Sequence, residues 1–251
     1  MAKAAKVVLV AALTAAPTLI GAIDGVALGP DSIPKFSDRT ANAPVTPGDW
    51  GFQPVRTAKR NTQYAYVLDE ELGVHVLEGV ADNAAGGLVH RFDGSARSTP
   101  MLRFQWKIGN VIARSDPATR AGDDYAARIY ITFAYDPERA SVREKAENSF
   151  AHMLYGETPP HAALTYVFTH KASRDTIITS PYTNRVKKVV VDSDPASVGK
   201  WRQFERNIYD DYRRAFNEEP TRISGIALMV DTDNTGERAR SRFGDITLRA
   251  R

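Results

Sequence analysis

The sequence predicts an all-β-dominated protein, an antiparallel β-sandwich of jelly-roll type with two short helices. Three observations predict it. Short runs alternate apolar and polar residues, turn-rich segments separate them, and no regular strand–helix alternation appears. The composition, 43% hydrophobic and 25% charged over 251 residues, supplies enough apolar mass for a real core.

In chain order, "QYAYVLDEELGVHVLEG" reads as a hairpin, with Tyr64, Tyr66 and Leu68 on one face and Val74 and Val76 in the return arm. "LRFQWKI" puts Leu102, Phe104, Trp106 and Ile108 on one face and Arg103, Gln105 and Lys107 on the other. "AARIYITFAY" sets Ala127, Ile129, Ile131 and Phe133 against Arg128, Tyr130 and Thr132, the pattern of a sheet with one buried and one solvated face. "ALTYVFT", "RVKKVVVDS", "WRQFERNI", "SGIALMV" and "FGDITL" continue the series to about nine strands. "GIALMV" is apolar throughout and belongs in the sheet interior. Two stretches carry a helical period. Ser141 caps one that runs through Tyr155, with Val142, Ala146, Phe150, Met153 and Leu154 as its stripe. Ile208, Tyr212, Ala215 and Phe216 form the other, with Asn207 as cap and Pro220 beyond its end.

The N-terminus reads as a leader. Lys3 and Lys6 precede an apolar run from Val7 to Ile23, and a cut after Ala27 leaves Gly25 and Ala27 at the positions signal peptidase reads. The run approaches the roughly 18 residues of a spanning helix, but Pro17 and the small-residue exit favour cleavage. The expected organisation is a signal peptide over 1–27, a proline-rich linker over 28–48 and a sandwich domain over 49–251. The mature chain is then periplasmic or secreted, with no membrane span.

Composition excludes several functions. The net charge of +3 is dispersed and no basic run interleaves with aromatics, which argues against nucleic-acid binding. The absence of cysteine removes thiol nucleophiles, thiolate zinc sites and redox chemistry. His75, His90, His152, His161 and His170 form no metal-pair spacing, and neither a Gly-x-Ser-x-Gly elbow nor a phosphate-cradling glycine loop appears.

Two segments could carry a site. In "VDTDNTGERARSRFGDI", Asp231, Asp233 and Gly236 start like a calcium loop. Thr235 and Arg242 stand where an EF-hand needs acidic ligands, so that motif fails. A sandwich-type loop holding a structural calcium, completed by Glu237 or Asp245, remains open. So does a turn whose Asx side chains cap local N–H groups and whose charge Arg238, Arg240 and Arg242 neutralise. In "RAGDDYAARIYITF", Asp123 and Asp124 precede a strand bearing Arg128 and Tyr130. With Tyr166, these could form a polar–aromatic face for a sugar. A carboxylate pair could also do glycosidic acid–base work, although neighbouring strand residues point to opposite faces. The alternative for this segment is a turn and an Arg–Asp ion pair bracing the sheet.

"GDDYAARIYITFAYD", "LTYVFT", "SPYTNRVKKVVVDS" and the block from Gly199 to Ile246 together resemble the DUF3047 family of exported bacterial proteins, over about Asp49 to Thr247. Thr165, Phe168 and the Arg242–Phe243 pair depart from the asparagine, the tryptophan and the Trp-Tyr of the family pattern. The resemblance brings no assigned activity and no catalytic residues. A looser likeness is to carbohydrate-binding jelly rolls. The leading expectation is therefore a non-catalytic module that binds a glycan or another cell-envelope component. A carbohydrate lyase or hydrolase and a protein–protein module are the alternatives.

Overall fold

The computed structural model describes residues 33–41, 43–45, 50–138, 140 and 160–251. The leader and the helix expected from Ser141 lie outside the described residues. The architecture is a sandwich of two sheets. The first has seven strands in the order β1 (Gly51–Pro54), β4 (Gly86–Gly94), β11 (Ile223–Met229), β6 (Arg128–Phe133), β7 (Ala162–Phe168), β9 (Val186–Asp192), β8 (Ile177–Thr179). The second has six. Five follow the order β10 (Trp201–Asn207), β5 (Met101–Ile108), β12 (Arg238–Phe243), β3 (Val74–Asp82), β2 (Gln63–Asp69), and β13 (Thr247–Arg249) adds to β5. One helix, α1 (Ile208–Phe216), follows β10. Among the described residues no helix is long and apolar enough to cross a membrane.

Alternation builds the core. Leu102, Phe104, Trp106 and Ile108 all turn inward from β5, and Ile129, Ile131 and Phe133 meet them from β6. The contact crosses the sandwich where Phe104 lies 5.9 Å from the Tyr166 ring. β11 sits between β4 and β6, as its unbroken apolar run demands. The β2–β3 hairpin turns through Gly73, whose φ of 69° is a conformation L side chains rarely adopt. α1 starts on Asn207, whose side chain accepts the Asp210 N–H, and ends on a left-handed Asn217. Its Tyr212 packs 4.4 Å from Phe133 and closes one end of the sandwich.

Three features differ from the sequence expectation. β7 and β9 pair in parallel, so the first sheet is not wholly antiparallel. β1, β4, β8 and β12 are additional strands, and β12 occupies residues expected to be part of a braced turn. In β12, Ala239, Ser241 and Phe243 face inward while Arg238, Arg240 and Arg242 face out.

Within the proline-rich stretch, Ile33 and Phe36 belong to the core, with Phe36 packed 5.3 Å from Trp50. Asp245 holds this segment in place. Its carboxylate accepts the backbone N–H groups of Phe36 (2.8 Å) and Ser37 (3.0 Å) and the Ser37 hydroxyl (2.6 Å). Replacing Asp245 with alanine is expected to cost about 2 kcal/mol, the scale of hydrogen bonds to a charged group. It should also open the 33–45 segment to protease. Urea melts and limited proteolysis check this, and an unchanged cleavage pattern would contradict the role.

Candidate functional site

At the β6 start of the first sheet, sequence neighbours part company. Asp123 turns to Lys188 of β9 and to Arg128, while Asp124 turns to the 234–235 turn. Arg128 holds both carboxylate oxygens of Asp231, just past β11, and its Nη2 also reaches the Asp123 carbonyl at 3.2 Å. Lys188 donates to Pro117 O at 3.2 Å as well. The Tyr125 ring lies 4.7 Å from the Arg128 guanidinium and 5.3 Å from the Lys188 ammonium. Asp123, Asp124, Arg128, Lys188 and Asp231 are all buried. Burial first, and then the Asp123 carboxylate, push the Tyr125 phenol well above its usual pKa, so it is a neutral group rather than a base.

Asp124, Asp231 and Asp233 each offer an oxygen within 4.8 Å of the others, close enough to share a hard cation. Their existing donors compete for that role. Arg128 takes both oxygens of Asp231. Asp124 accepts the N–H groups of Asn234 (3.0 Å) and Thr235 (2.7 Å) and the Asn234 amide (2.9 Å). The same bonds cap the 234–235 turn from Asp124, 110 and 111 residues away in sequence.

The opposite end of the sheet is open. A cleft of about 460 Å³ lies where the β4–β5 loop, the residues after β6, the first turn of α1 and the α1–β11 connection meet. Arg97, Tyr135, Asp136, Tyr209, Glu219 and Arg222 supply its polar and aromatic wall, with Ala96, Ala134 and Pro220 between them. The Tyr209 hydroxyl lies 3.0 and 2.8 Å from the two Glu219 oxygens. Arg97 also pairs with Glu219 (2.8 Å), as does Arg213 (3.2 Å). The Tyr209 hydrogen bond, and then the arginine charges, hold the Glu219 carboxyl below its usual range. A second cleft, of about 400 Å³, sits beside the β2–β3 turn, lined by Leu68, Asp69, Glu70, Glu71, Lys107 and Arg242.

Residues 49–247 match the family described as a protein of unknown function, DUF3047. The chain belongs to the DUF3047 family. No curated protein matches it.

In this DUF3047 chain the structure regroups the residues singled out in the sequence. Asp123, Asp124, Arg128 and Tyr130 do come together with Asp231, but as a buried brace and not as a solvated face. The face of β6 expected to meet water is covered, with Tyr130 packed among Val55, Ala163, Ala227 and Met229. Tyr166 is a correction: it pairs in register with Ile129, so it projects into the core, where its hydroxyl donates to Asp211 at 3.1 Å. Asp245 is the second correction: it clamps Phe36 and Ser37 and does not join the carboxylates at 124, 231 and 233. Nor do the nearby arginines neutralise those carboxylates as expected. Arg240 and Arg242 pair with Glu78, and Arg242 also with Asp69. The cleft residues of the DUF3047 chain escaped sequence reading because they sit in loops without a period. Tyr209 is the exception, since it falls within the helix expected from Ile208 to Phe216.

Proposed function

We propose that this chain is an exported, non-catalytic β-sandwich that binds a glycan or another hydroxyl-rich cell-envelope ligand in the cleft beside α1. The observation that carries the reading is the mixed wall of that cleft. Sugars present apolar C–H faces and hydroxyl edges, and the cleft answers with the Tyr135 ring and small apolar residues beside planar charged groups. Its volume of about 460 Å³ lies within the range of small-ligand sites. Export is supported by the basic, apolar and small-residue order of the N-terminus.

The state of Glu219, Asp123 and Asp124 supports the non-catalytic reading. Glycosidic hydrolysis needs one carboxyl group to deliver a proton. Glu219 is kept ionised by Tyr209 and two arginines, which does not suit a general acid. Asp123 and Asp124 lie in the buried brace and line neither cleft.

Retention of the mature domain on a panel of immobilised polysaccharides tests the proposal. Selective retention is expected, weakened about tenfold by Tyr135→Ala through loss of ring contact with an unchanged melting temperature. Retention that survives Tyr135→Ala paired with Arg222→Ala in a folded protein would remove the ligand from this cleft. No retention on any polymer would move an envelope protein–protein role forward, for which Leu68 and Val74, exposed at the hairpin, are the first residues to examine.

A further inference from the structure

We infer that the cleft beside α1 selects a glycan bearing carboxylates, of the polyuronate class, over a neutral one. This rests on the reading of the cleft as a sugar site and specifies its ligand.

Donors and acceptors around the cleft are unequally engaged. Two guanidinium groups, Arg97 and Arg222, line it, and a third, Arg213, pairs with its Glu219; each can donate five N–H bonds. Arg97 spends Nη2 on Glu219 at 2.8 Å and lays its plane 5.0 Å from the Tyr209 ring, leaving Nε and Nη1 without an acceptor among the described residues. Arg213 spends Nε on the same carboxylate at 3.2 Å. Arg222 spends Nε (2.6 Å) and Nη2 (2.5 Å) on Asp93, leaving Nη1. Their side chains are 72%, 58% and 63% exposed, so the remaining donors meet solvent.

The carboxylate acceptors are mostly engaged. The two Glu219 oxygens share the single Tyr209 hydroxyl proton, and each pairs with one arginine. Both Asp93 oxygens face Arg222. Asp136 turns one oxygen to the Glu138 N–H at 3.0 Å. The wall therefore offers planar, charged donors with few acceptors, although the formal charges nearly balance. A neutral sugar, whose hydroxyls are donors as well as acceptors, leaves half its capacity unmet there. A carboxylate, which only accepts and matches the guanidinium fork, meets the wall fully. Tyr209 and Glu219 also fix Arg97 beforehand, which lowers the ordering cost of binding.

The test compares a polyuronate with the same polymer after its carboxyl groups are reduced to primary alcohols, and with a sulfated neutral polymer. Binding is measured by calorimetry at low and moderate salt. The expected result is binding to the polyuronate that weakens about tenfold or more on carboxyl reduction and again in Arg97→Gln and Arg222→Gln. The reduced polymer's residual binding should be indifferent to both substitutions. Melting temperatures of the two variants should match the parent, because the substituted side chains are exposed. Equal affinity for the polyuronate and its reduced form overturns this inference and leaves the sugar-binding reading intact. Equal affinity for the sulfated polymer and the polyuronate shows attraction by charge alone and overturns the carboxylate assignment. Failure to bind any of the three overturns both.

Discussion

Asp231→Ala is expected to cost about 3–5 kcal/mol, the scale of breaking one side of a buried ion pair. A typical domain has roughly 5–15 kcal/mol in total, so the variant should be barely folded. The reason is what the substitution leaves behind. Arg128 is 3% exposed, and without Asp231 it keeps the Asp123 carbonyl at 3.2 Å and, as a charged partner, the more distant Asp123 carboxylate at 3.8 Å. The Tyr125 N–H, now 3.2 Å from Asp231, also loses its acceptor. The cost should shrink when Arg128→Leu is added, because the orphaned cation is removed with its partner. Urea denaturation of the two single variants and the double variant measures this. A single Asp231→Ala variant within about 1 kcal/mol of the parent would mean the pair is a solvated surface contact after all.

Trp106→Ala is expected to be the most damaging substitution within the apolar core, at about 3–5 kcal/mol. The indole is fully buried on β5, 5.2 Å from Phe104 and 5.3 Å from Phe204, so its removal opens a cavity beside two aromatic rings. Trp106→Phe should cost far less. The Trp106 Nε1–H is buried with no hydrogen-bond acceptor, so phenylalanine gives up packing volume but sheds an unsatisfied donor. Thermal and chemical melts of the two variants decide it. Equal losses for alanine and phenylalanine would show that the N–H has a partner that matters more than the ring.

The legible parts of the fold were those set by local period. Leu102 to Ile108 alternates so cleanly that its inward face could be named residue by residue, and Asn207 with Ile208 and Tyr212 marked the helix and its start. What stayed hidden depends on register and on distance along the chain. Tyr130 and Tyr166 look equivalent in sequence, but cross-strand pairing puts Tyr166 beside Ile129 and sends the two rings to opposite faces. Arg128 looked like a solvent-facing residue because nothing local reveals that Asp231, 103 positions later, would arrive beside it. Asp245 read as part of an acidic loop, yet its partners are 208 and 209 residues away. β12 was within reach, since Ala239, Ser241 and Phe243 alternate with arginines. The candidate cleft was the least legible feature, because four connections far apart in sequence build it.

The position of β11 sets an order of events for the growing chain. It is the only link between the β1–β4 pair and the β6–β7–β9–β8 group in the first sheet, and it is not complete until residue 229. The Asp245 clamp on Phe36 comes later still. A ribosome must therefore release most of the polypeptide before either half of that sheet can join the other, and such long-range closure is slow. Until then the two groups of strands in the first sheet stay apart. The edges of β4 and β6 that β11 will later pair are meanwhile unsatisfied, and such edges are open to pairing with other chains.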